Sequence, residues 1–280
     1  MTKFGIAQPV RRVEDQRLVT GHGRYTADID LPRQAYTFLL RSPHGHAKLG
    51  KIDTAAAKAA PGVVAVYTAA DLDADKIGTL PCLIPLKNRD GSDRAGPPHP
   101  VLAKGKVRHV GDPVAMVVAE SLAQARDAAE LIEVEYEPLP ATIDMKAALK
   151  PGAPQVFDEV KNNLAVDWVL GDPSKVEATF AKAKHVVTLE IVNNRIVVAS
   201  MEPRAALADY DKASQRFTLY ANTQGAHLVK NLLAGMAFQV PPEKVHVITP
   251  DVGGGFGMKL FLYAEHILTC YAARKLGRPV

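Results

Sequence analysis

One glycine-rich stretch organises this sequence, and it runs Val252-Gly253-Gly254-Gly255-Phe256-Gly257-Met258-Lys259. We name it the glycine loop. Residues 244–248 before it predict a short strand, and residues 260–276 after it are apolar nearly all round without Gly or Pro, which predicts a buried helix. Gly277 and Pro279 then end that helix. The glycines are therefore predicted to lie in a strand-to-helix turn.

A turn of this kind favours a ligand. It presents unpaired backbone N–H groups at the positive end of a helix, and these attract an anion or a polarised oxygen. Glycine lets the backbone adopt positive φ and lets a ligand approach closely. The alternative is a tight turn that only packs a helix on a sheet. Four glycines around Phe256 favour the ligand.

Two common nucleotide-binding loops do not match the glycine loop. The dinucleotide pattern G-x-G-x-x-G would need a third glycine at Met258 or at Leu260. The mononucleotide pattern needs Gly before the lysine and Ser or Thr after it, where this sequence has the same Met258 and Leu260. A standard nucleotide loop is therefore excluded.

Length and composition indicate an ordinary globular protein. A chain of 280 residues predicts about two domains. Its 47% hydrophobic and 23% charged residues suffice for a sizeable core, and the net charge of +4 is spread along the chain, so no nucleic-acid partner is expected. No apolar run approaches membrane-spanning length, and residues 1–12 lack the apolar core of a secretory signal. We therefore expect a cytoplasmic protein.

The two cysteines, Cys82 and Cys270, lie far apart. Cys270 falls inside the predicted apolar helix and is expected to be a small core residue. Two cysteines are too few for an iron–sulfur cluster, which needs several thiolates. Any such cluster is therefore expected on another chain.

The pattern along the chain predicts an α+β fold with two domains. Residues 1–149 are predicted to form a small mixed α/β domain, residues 150–171 a linker, and residues 172–280 a second domain. In the first domain, strands are predicted at 35–40, 63–68, 113–119 and 133–137, and helices at 53–60 and after a Ser121-x-x-Gln124 capping box. In the second, Asp172-Pro173 begins a helix, strands are predicted at 184–192, 195–200, 205–210 and 216–221, and a helix at 225–238.

Gln224 is the other candidate site residue. It follows the predicted strand at 216–221 and precedes a predicted helix, as Phe256 follows the strand at 244–248. If these two strands are neighbours, both helix N-termini face one pocket, to which Gln224 contributes an amide donor and acceptor. The alternative for Gln224 alone is a helix cap or a surface residue.

The motifs together resemble one family. Asp251 to Lys259, preceded by Asn222-Thr223-Gln224, is similar to the molybdenum-cofactor subunit of the xanthine dehydrogenase, aldehyde oxidase and aerobic carbon monoxide dehydrogenase family. The N-terminal half resembles that family's α/β hammerhead domain at Arg41-Ser42-Pro43-His44, Pro61-Gly62-Val63 and Val110-Gly111-Asp112-Pro113, and Met201-Glu202-Pro203-Arg204 resembles the start of its first molybdopterin-binding domain.

The resemblance implies a cofactor and partner subunits. It implies that molybdenum is held by a molybdopterin, expected as the cytosine dinucleotide, with no direct side-chain ligand in this chain. Gln224, Gly254, Gly255, Phe256 and Gly257 would contact it, Gln224 through its side chain and the loop through its amides. [2Fe-2S] clusters and FAD would lie on an iron–sulfur subunit and a flavin subunit, in a dimer of heterotrimers that acts on a small-molecule substrate.

The family subunit is much longer than this chain. Its general-base glutamate, and most contacts to the pterin phosphate and nucleotide, are expected beyond Val280, so the chain alone is expected to be inactive and to be a truncated or split subunit. A non-catalytic fragment or assembly module, or an unrelated anion-binding protein, are the alternatives. Glu202 and Arg204 are interpreted as a structural pair.

Leu260 bears on the substrate. In purine-oxidising members of the family the residue after the loop lysine is a glutamate that binds the polar ring, and here it is Leu260. The resemblance therefore implies a less polar substrate, such as an aldehyde, an aromatic heterocycle or carbon monoxide. The alternative is that Leu260, as the first residue of the predicted helix, simply points into the core.

Overall fold

The computed structural model describes residues 9–280 and divides them into two compact units. One unit contains residues 37–198, and the other joins residues 9–36 to residues 199–280. The second unit thus includes an N-terminal segment that the predicted linear division leaves in the first domain. The domain boundaries at residues 149 and 172 stay a prediction.

Helices and strands are both present in each unit, which confirms the α+β class. The strands are β1 (Tyr36–Arg41), β2 (Ala47–Asp53), β3 (Val63–Thr68), β4 (Lys106–Val107), β5 (Pro113–Ala119), β6 (Glu133–Pro138), β7 (Ala206–Asp211), β8 (Arg216–Ala221) and β9 (Val245–Ile248). The α-helices are α1 (Asp15–Val19), α2 (Ala55–Ala59), α3 (Ala69–Ala74), α4 (Leu122–Ala129), α5 (Met145–Ala148), α6 (Pro173–Lys182), α7 (Ala226–Leu232) and α8 (Ala264–Leu276). Within residues 9–280, no helix is long and apolar enough to cross a membrane.

Residues 37–198 contain two small sheets, ordered β1-β5-β3 and β4-β2-β6. Every residue of β5 is buried, as its continuous run of apolar side chains predicts. Ala115, Val117 and Ala119 of this strand pack against the alanine-rich face of α4. Because alanine has almost no side chain, the helix approaches the sheet closely, and this contact forms the core of the unit.

The predicted capping box at the start of α4 forms in one half only. Ser121 Oγ accepts a hydrogen bond from the Gln124 amide at 3.2 Å, as predicted. The Gln124 side chain, however, accepts a hydrogen bond from the Ser121 hydroxyl at 3.0 Å instead of one from the Ser121 backbone. The reciprocal half of the prediction is therefore wrong, because the two side chains satisfy each other.

The other unit contains the sheet that carries the site. β7 and β8 form an antiparallel hairpin, and β9 joins β8 in parallel, with Leu219 opposite Val247. Beneath the sheet, the Phe217 and Phe238 rings stack with their centroids 4.5 Å apart. Because β8 and β9 run in the same direction, the segments after them begin at the same edge of the sheet. The condition set for a shared pocket, that the two strands are neighbours, is therefore met.

The predicted helix at 225–238 is present but changes its winding. It is α-helical over Ala226–Leu232 and π-helical over Leu233–Phe238, and it ends where Gln239 adopts a left-handed conformation at φ 52°. Pro241 and Pro242 follow, so the chain does not return to the helix.

The strands predicted at 184–192 and 195–200 are wrong. Residues 184–200 form no strand, and their apolar side chains are exposed, including Val187 at 90%, Leu189 at 78% and Ile191 at 76%. Alternating β-branched residues indicate a segment that fits a sheet, but a strand also requires a partner with which to pair. None of residues 9–280 supplies one.

The helix predicted from residue 260 begins later, at Ala264, with Tyr263 as its N-cap. Residues 256–261 are turns, and the Tyr263 hydroxyl donates a hydrogen bond to the Met258 carbonyl within that segment. Apolar composition alone does not distinguish a buried turn from a helix. The glycine loop is therefore not a helix N-terminus, and that part of the prediction is wrong. Gly277 ends the helix at φ 64°, as predicted.

Candidate functional site

Gln224 and the glycine loop are in direct contact at the shared edge of β8 and β9. Gln224 Oε1 accepts hydrogen bonds from the amides of Gly257 at 3.0 Å and Lys259 at 3.2 Å. The backbone amide of Gln224 in turn donates to the Lys259 carbonyl at 2.9 Å. We name this set of contacts the Gln224 clamp. It fixes the orientation of the Gln224 side-chain amide, because its oxygen is committed to two N–H donors.

Glycine is required in the loop at two positions for steric reasons. A Cβ atom on Gly255 would lie 2.5 Å from Gln224 Cδ. One on Gly254, which has φ 95°, would lie 2.8 Å from the Phe256 ring. At both positions the backbone is pressed against a neighbouring side chain more closely than any other residue allows.

Gly257 requires glycine for a different reason. Its φ is 85°, but a Cβ there would meet nothing within 4 Å. The position therefore opens onto free space, and the constraint comes from its backbone conformation. Phe256 beside it also has positive φ, at 49°, and its side chain is 76% exposed. The backbone at both residues faces outward instead of packing into the core.

Several hydrogen-bond donors of the site remain free. No acceptor within residues 9–280 pairs with the backbone amides of Gly254, Gly255 or Phe256, or with Gln224 Nε2. Closely spaced amides of this kind bind anionic or polarised oxygen atoms. The site is thus suited to a group that carries oxygen or sulfur acceptors.

A buried ion pair beneath the loop was not predicted. Lys259 Nζ lies 2.9 Å from Glu202 Oε2, and the two side chains are only 1% and 12% exposed. The same Glu202 oxygen accepts the Gly253 amide at 2.7 Å. Burial acts to raise the pKa of Glu202, but the Gly253 amide, Lys259 and the nearby Asn222 side chain outweigh it, so the pKa is lowered and the group is a carboxylate.

The structural pair predicted between Glu202 and Arg204 does not form. The Arg204 guanidinium instead lies over the Tyr263 ring, 3.9 Å from its centroid, with Glu265 at 3.9 Å. The partner of Glu202 is Lys259. The sequence indicates this pairing only through the position of the lysine, between the loop and a long apolar segment. A lysine in that position must be paired if it is buried.

Asp251 anchors the beginning of the loop. Its carboxylate accepts hydrogen bonds from both terminal nitrogens of Arg17, one of them at 2.7 Å, and from the Arg24 amide at 2.6 Å. The Arg17 hydrogen bond is the main reason why the pKa of Asp251 falls to about 2. The segment before β1 therefore holds the loop in place.

Leu260 lies in the turn after the loop and is 37% exposed, and Phe261 beside it is 47% exposed. Leu260 is not the first residue of α8, so the alternative that it begins a helix directed into the core does not apply. Its Cδ1 would lie 3.3 Å from a Cβ on Gly225, which places it next to the clamp.

Comparison with known proteins assigns both parts of the chain. Residues 156–280 match the family described as "Molybdopterin cofactor-binding domain". Residues 20–140 match "Aldehyde oxidase and xanthine dehydrogenase, a/b hammerhead domain". The class of protein is thereby defined as one that combines a hammerhead domain with a molybdopterin-binding domain.

Two curated relatives match along nearly the whole chain. The carbon monoxide dehydrogenase large chain of Afipia carboxidovorans is 36% identical over 99% of this chain and 34% of its own length. The nicotine 6-hydroxylase large subunit of Paenarthrobacter nicotinovorans is also 36% identical, over 100% of this chain and 33% of its own. The chain spans about a third of the length of these relatives.

Solved structures of similar proteins match the chain as the curated relatives do. Quinoline 2-oxidoreductase from Pseudomonas putida 86 superimposes with a TM-score of 0.85 and 37% identity, over 97% of this chain and 33% of that one. A Cu,Mo-CO dehydrogenase superimposes with a TM-score of 0.88 and 36% identity, over 99% and 35%. The chain belongs to the xanthine dehydrogenase, aldehyde oxidase and carbon monoxide dehydrogenase family, and it matches about a third of the large subunits of that family.

Proposed function

We propose that Gln224 and the amides of Gly254, Gly255, Phe256 and Gly257 form part of a molybdenum–molybdopterin pocket, in a subunit that oxidises a small molecule. The observation that carries the proposal is the set of free donors: three unpaired loop amides beside the unpaired Gln224 Nε2. A molybdenum centre carries oxygen and sulfur ligands that accept such hydrogen bonds, and when bound it supplies two-electron oxidation with oxygen from water. The Gly257 amide donates to Gln224 Oε1 in the clamp, so the role of Gly257 in the pocket is to position Gln224.

The chain's own contribution is orientation. Gln224 Oε1 is occupied by the clamp, so only its N–H group is directed at a ligand. Hydrogen bonds from donors to charged groups contribute about 1.5–3 kcal/mol each, so Gln224 Nε2 and the loop amides would hold and orient the cofactor's acceptor atoms. Since the loop is preformed, no reorganisation is needed when charge develops there.

We also propose four further features that the resemblance to the family implies. They are the cytosine dinucleotide form of the cofactor, [2Fe-2S] clusters and FAD on partner subunits, a dimer of heterotrimers and a cytoplasmic location. The complex subunit names of the relatives, such as the "6-hydroxypseudooxynicotine dehydrogenase complex subunit gamma", support partner subunits.

For the substrate we propose an aldehyde, an aromatic heterocycle or carbon monoxide. Leu260 and Phe261 are apolar and partly exposed beside the clamp. Leucine neither donates nor accepts a hydrogen bond, so a purine edge left unpaired against it would cost about 1–3 kcal/mol per group. The relatives named for carbon monoxide, nicotine and quinoline, at 36–37% identity, agree with a substrate less polar than a purine.

Purification of the complex that contains this chain tests the proposal. Metal analysis should find molybdenum, and the nucleotide released from the pterin should be cytidine monophosphate. A complex without molybdenum would favour the alternative of a non-catalytic assembly module. Steady-state assays with xanthine, an aromatic aldehyde, quinoline and carbon monoxide then test the substrate. Efficient xanthine turnover that survives Leu260→Ala would refute the argument from Leu260.

A further inference from the structure

We propose that the buried Lys259–Glu202 ion pair is a positioning device that holds Gln224 against the cofactor. The inference rests on the proposed function, since it concerns the same pocket. Neither residue contacts the free donors of the site. Both act through the backbone of the glycine loop.

The first step is the attachment of Glu202 to the start of the loop. Its carboxylate accepts the Gly253 amide at 2.7 Å, and its own amide donates to the Gly253 carbonyl at 3.1 Å. A Cβ on Gly253 would lie 2.5 Å from Glu202 Cβ, so the two backbones are in close contact. Glu202 therefore fixes the beginning of the loop.

The second step is the attachment of Lys259 to the end of the loop. Its Nζ is held by Glu202 at 2.9 Å. Its backbone amide donates to Gln224 Oε1 at 3.2 Å, and its carbonyl accepts the Gln224 amide and the Thr223 hydroxyl, each at 2.9 Å. Lys259 thus makes two of the three hydrogen bonds of the Gln224 clamp and joins them to the ion pair. If the Lys259 side chain is released, the clamp loses its support.

The burial of the Lys259–Glu202 ion pair is not explained by packing. A buried ion pair is weak evidence for stability, since an apolar pair of similar volume often serves packing as well. Glu202 Oε1 is also buried with no hydrogen-bond partner in the described part of the chain. A partly satisfied pair is a poor packing element. The ion pair is better explained by its contacts with both ends of the glycine loop, which fix the position of each end.

The test uses three variants in the purified complex: Lys259→Met, Glu202→Gln and the two combined. Methionine keeps most of the lysine stem, and glutamine keeps an acceptor for the Gly253 amide. The combined variant contains no unpaired buried charge, so it remains informative if a single variant fails to fold. Lys48→Met is the control, because Lys48 pairs with Glu137 at 2.8 Å on the surface, where both side chains are more than half exposed.

Two measurements separate positioning from folding. Hydrogen exchange should be faster at the amides of Gly257 and Lys259 in each of the three variants, and unchanged in Lys48→Met. Turnover should fall about 10- to 100-fold, as for other groups that orient metal-site contacts, with KM nearly unchanged and an altered electron paramagnetic resonance spectrum of the molybdenum. Gln224→Ala combined with Lys259→Met should lower turnover no further than Gln224→Ala alone, since Lys259 acts through Gln224.

Several results would overturn the inference. One is unchanged exchange and turnover in the combined variant. Another is a multiplicative loss when Gln224→Ala is added, which would mean that the two residues act separately. Absence of molybdenum from the parent complex would instead refute the proposed function, and the exchange measurement would still decide whether the ion pair supports the clamp.

Discussion

Two strand-to-helix connections of the molecule differ in how their backbone N–H donors are paired. One joins β5 to α4, and the other joins β9 to α8. Between β5 and α4 the chain turns within Glu120 and Ser121. The Glu120 amide donates to the Gly62 carbonyl at 2.9 Å, and Ser121 Oγ accepts the Gln124 amide. Between β9 and α8 the connection spans residues 249–263, and three consecutive amides have no acceptor in the described chain.

The difference separates a structural turn from a binding site. Buried or partly buried backbone donors are almost always paired, because an unpaired one costs free energy. In the first connection, the amides of Glu120 and Gln124 are paired within the chain. The second holds Gln224 Oε1 with two amides, yet no acceptor among the described residues pairs with Gln224 Nε2 or with the amides of Gly254, Gly255 and Phe256. Donors left free in an otherwise fixed loop indicate where a ligand binds.

The largest effect is expected from Gly255→Val. The new Cβ would lie 2.5 Å from Gln224 Cδ, so the glutamine must leave the amides of Gly257 and Lys259. Molybdenum content of the purified complex should fall about 10- to 100-fold, as when groups that orient a metal site are lost. Metal analysis together with circular dichroism checks that the pocket is lost while the fold remains.

Gly62→Ala is the matched control at the structural connection. A Cβ there, at φ 76°, would lie 2.3 Å from Gln124 Nε2, so this variant also displaces a glutamine side chain. It should lower stability by about 1 kcal/mol through backbone strain and leave the molybdenum content unchanged. Equal loss of metal in both variants would contradict the distinction between the two connections.

Gln224→Ala is expected to have the next largest effect. It removes the outward donor Nε2, and loss of one preorganised donor lowers turnover by about 100-fold. The side chain is exposed, so water replaces it at the amides of Gly257 and Lys259, and stability should change by no more than about 1 kcal/mol. Steady-state kinetics and urea unfolding check the two parts.

Gln124→Ala provides the comparison for that variant, since Gln124 also lies at a strand-to-helix connection and its side-chain hydrogen bond is with Ser121. Turnover should be unchanged there. A fully active Gln224→Ala enzyme, or one that does not fold, would contradict the role given to Gln224.

Local patterns in the sequence were sufficient to predict most elements of the fold. The strands at Val63–Thr68, Pro113–Ala119 and Arg216–Ala221 have the predicted bounds. Each combines β-branched or apolar residues with turn residues on both sides, so the short-range signal and the final burial agree. The juxtaposition of Gln224 and the glycine loop followed from the sequence only on the condition that the two strands are neighbours, and the parallel pairing of β8 and β9 meets that condition.

The features that escaped prediction depend on specific side-chain contacts or on the absence of a pairing partner, which local patterns do not reveal. The pairing of Glu202 with Lys259 joins residues that no periodic pattern connects. Residues 184–200 carry a strand pattern but find no partner among the described residues. The late start of α8 depends on Tyr263 reaching back to Met258, which apolar composition does not reveal. The roles of the loop residues toward a cofactor stay a prediction.

A smaller, pH-dependent effect is expected at His266, which lies in α8 after the long connection. Burial lowers its pKa from 6.5 to about 4, and Nδ1 accepts the Tyr263 amide. Between these two pH values the unfolded chain binds a proton that the folded chain does not. Stability should therefore fall as the pH drops from about 6.5 to about 4, by at most about 1.4 kcal/mol per pH unit.

Urea unfolding at several pH values, compared with His266→Gln, measures that effect. Glutamine keeps an acceptor for the Tyr263 amide but does not titrate, so the pH dependence of stability should be weaker in the variant. Glu265 acts to raise the pKa and Arg204 to lower it, and both are unchanged in the variant. Identical pH profiles for parent and variant would show that His266 is not the titrating group.

The smallest effect is expected from Ser121→Ala, which removes the N-cap of α4. Ser121 Oγ accepts the Gln124 amide at 3.2 Å, and alanine leaves that donor to water. Loss of such a cap costs about 1 kcal/mol, and Ser121→Thr, which keeps the oxygen, should recover most of it. Because the hydrogen bond of this cap joins only Ser121 and Gln124, molybdenum content and turnover should be the same as in the parent. Urea unfolding and metal analysis on one preparation measure both quantities. A stability loss without metal loss supports the distinction between the two connections, whereas depletion of molybdenum comparable to that of Gly255→Val would show that the structural connection also shapes the pocket.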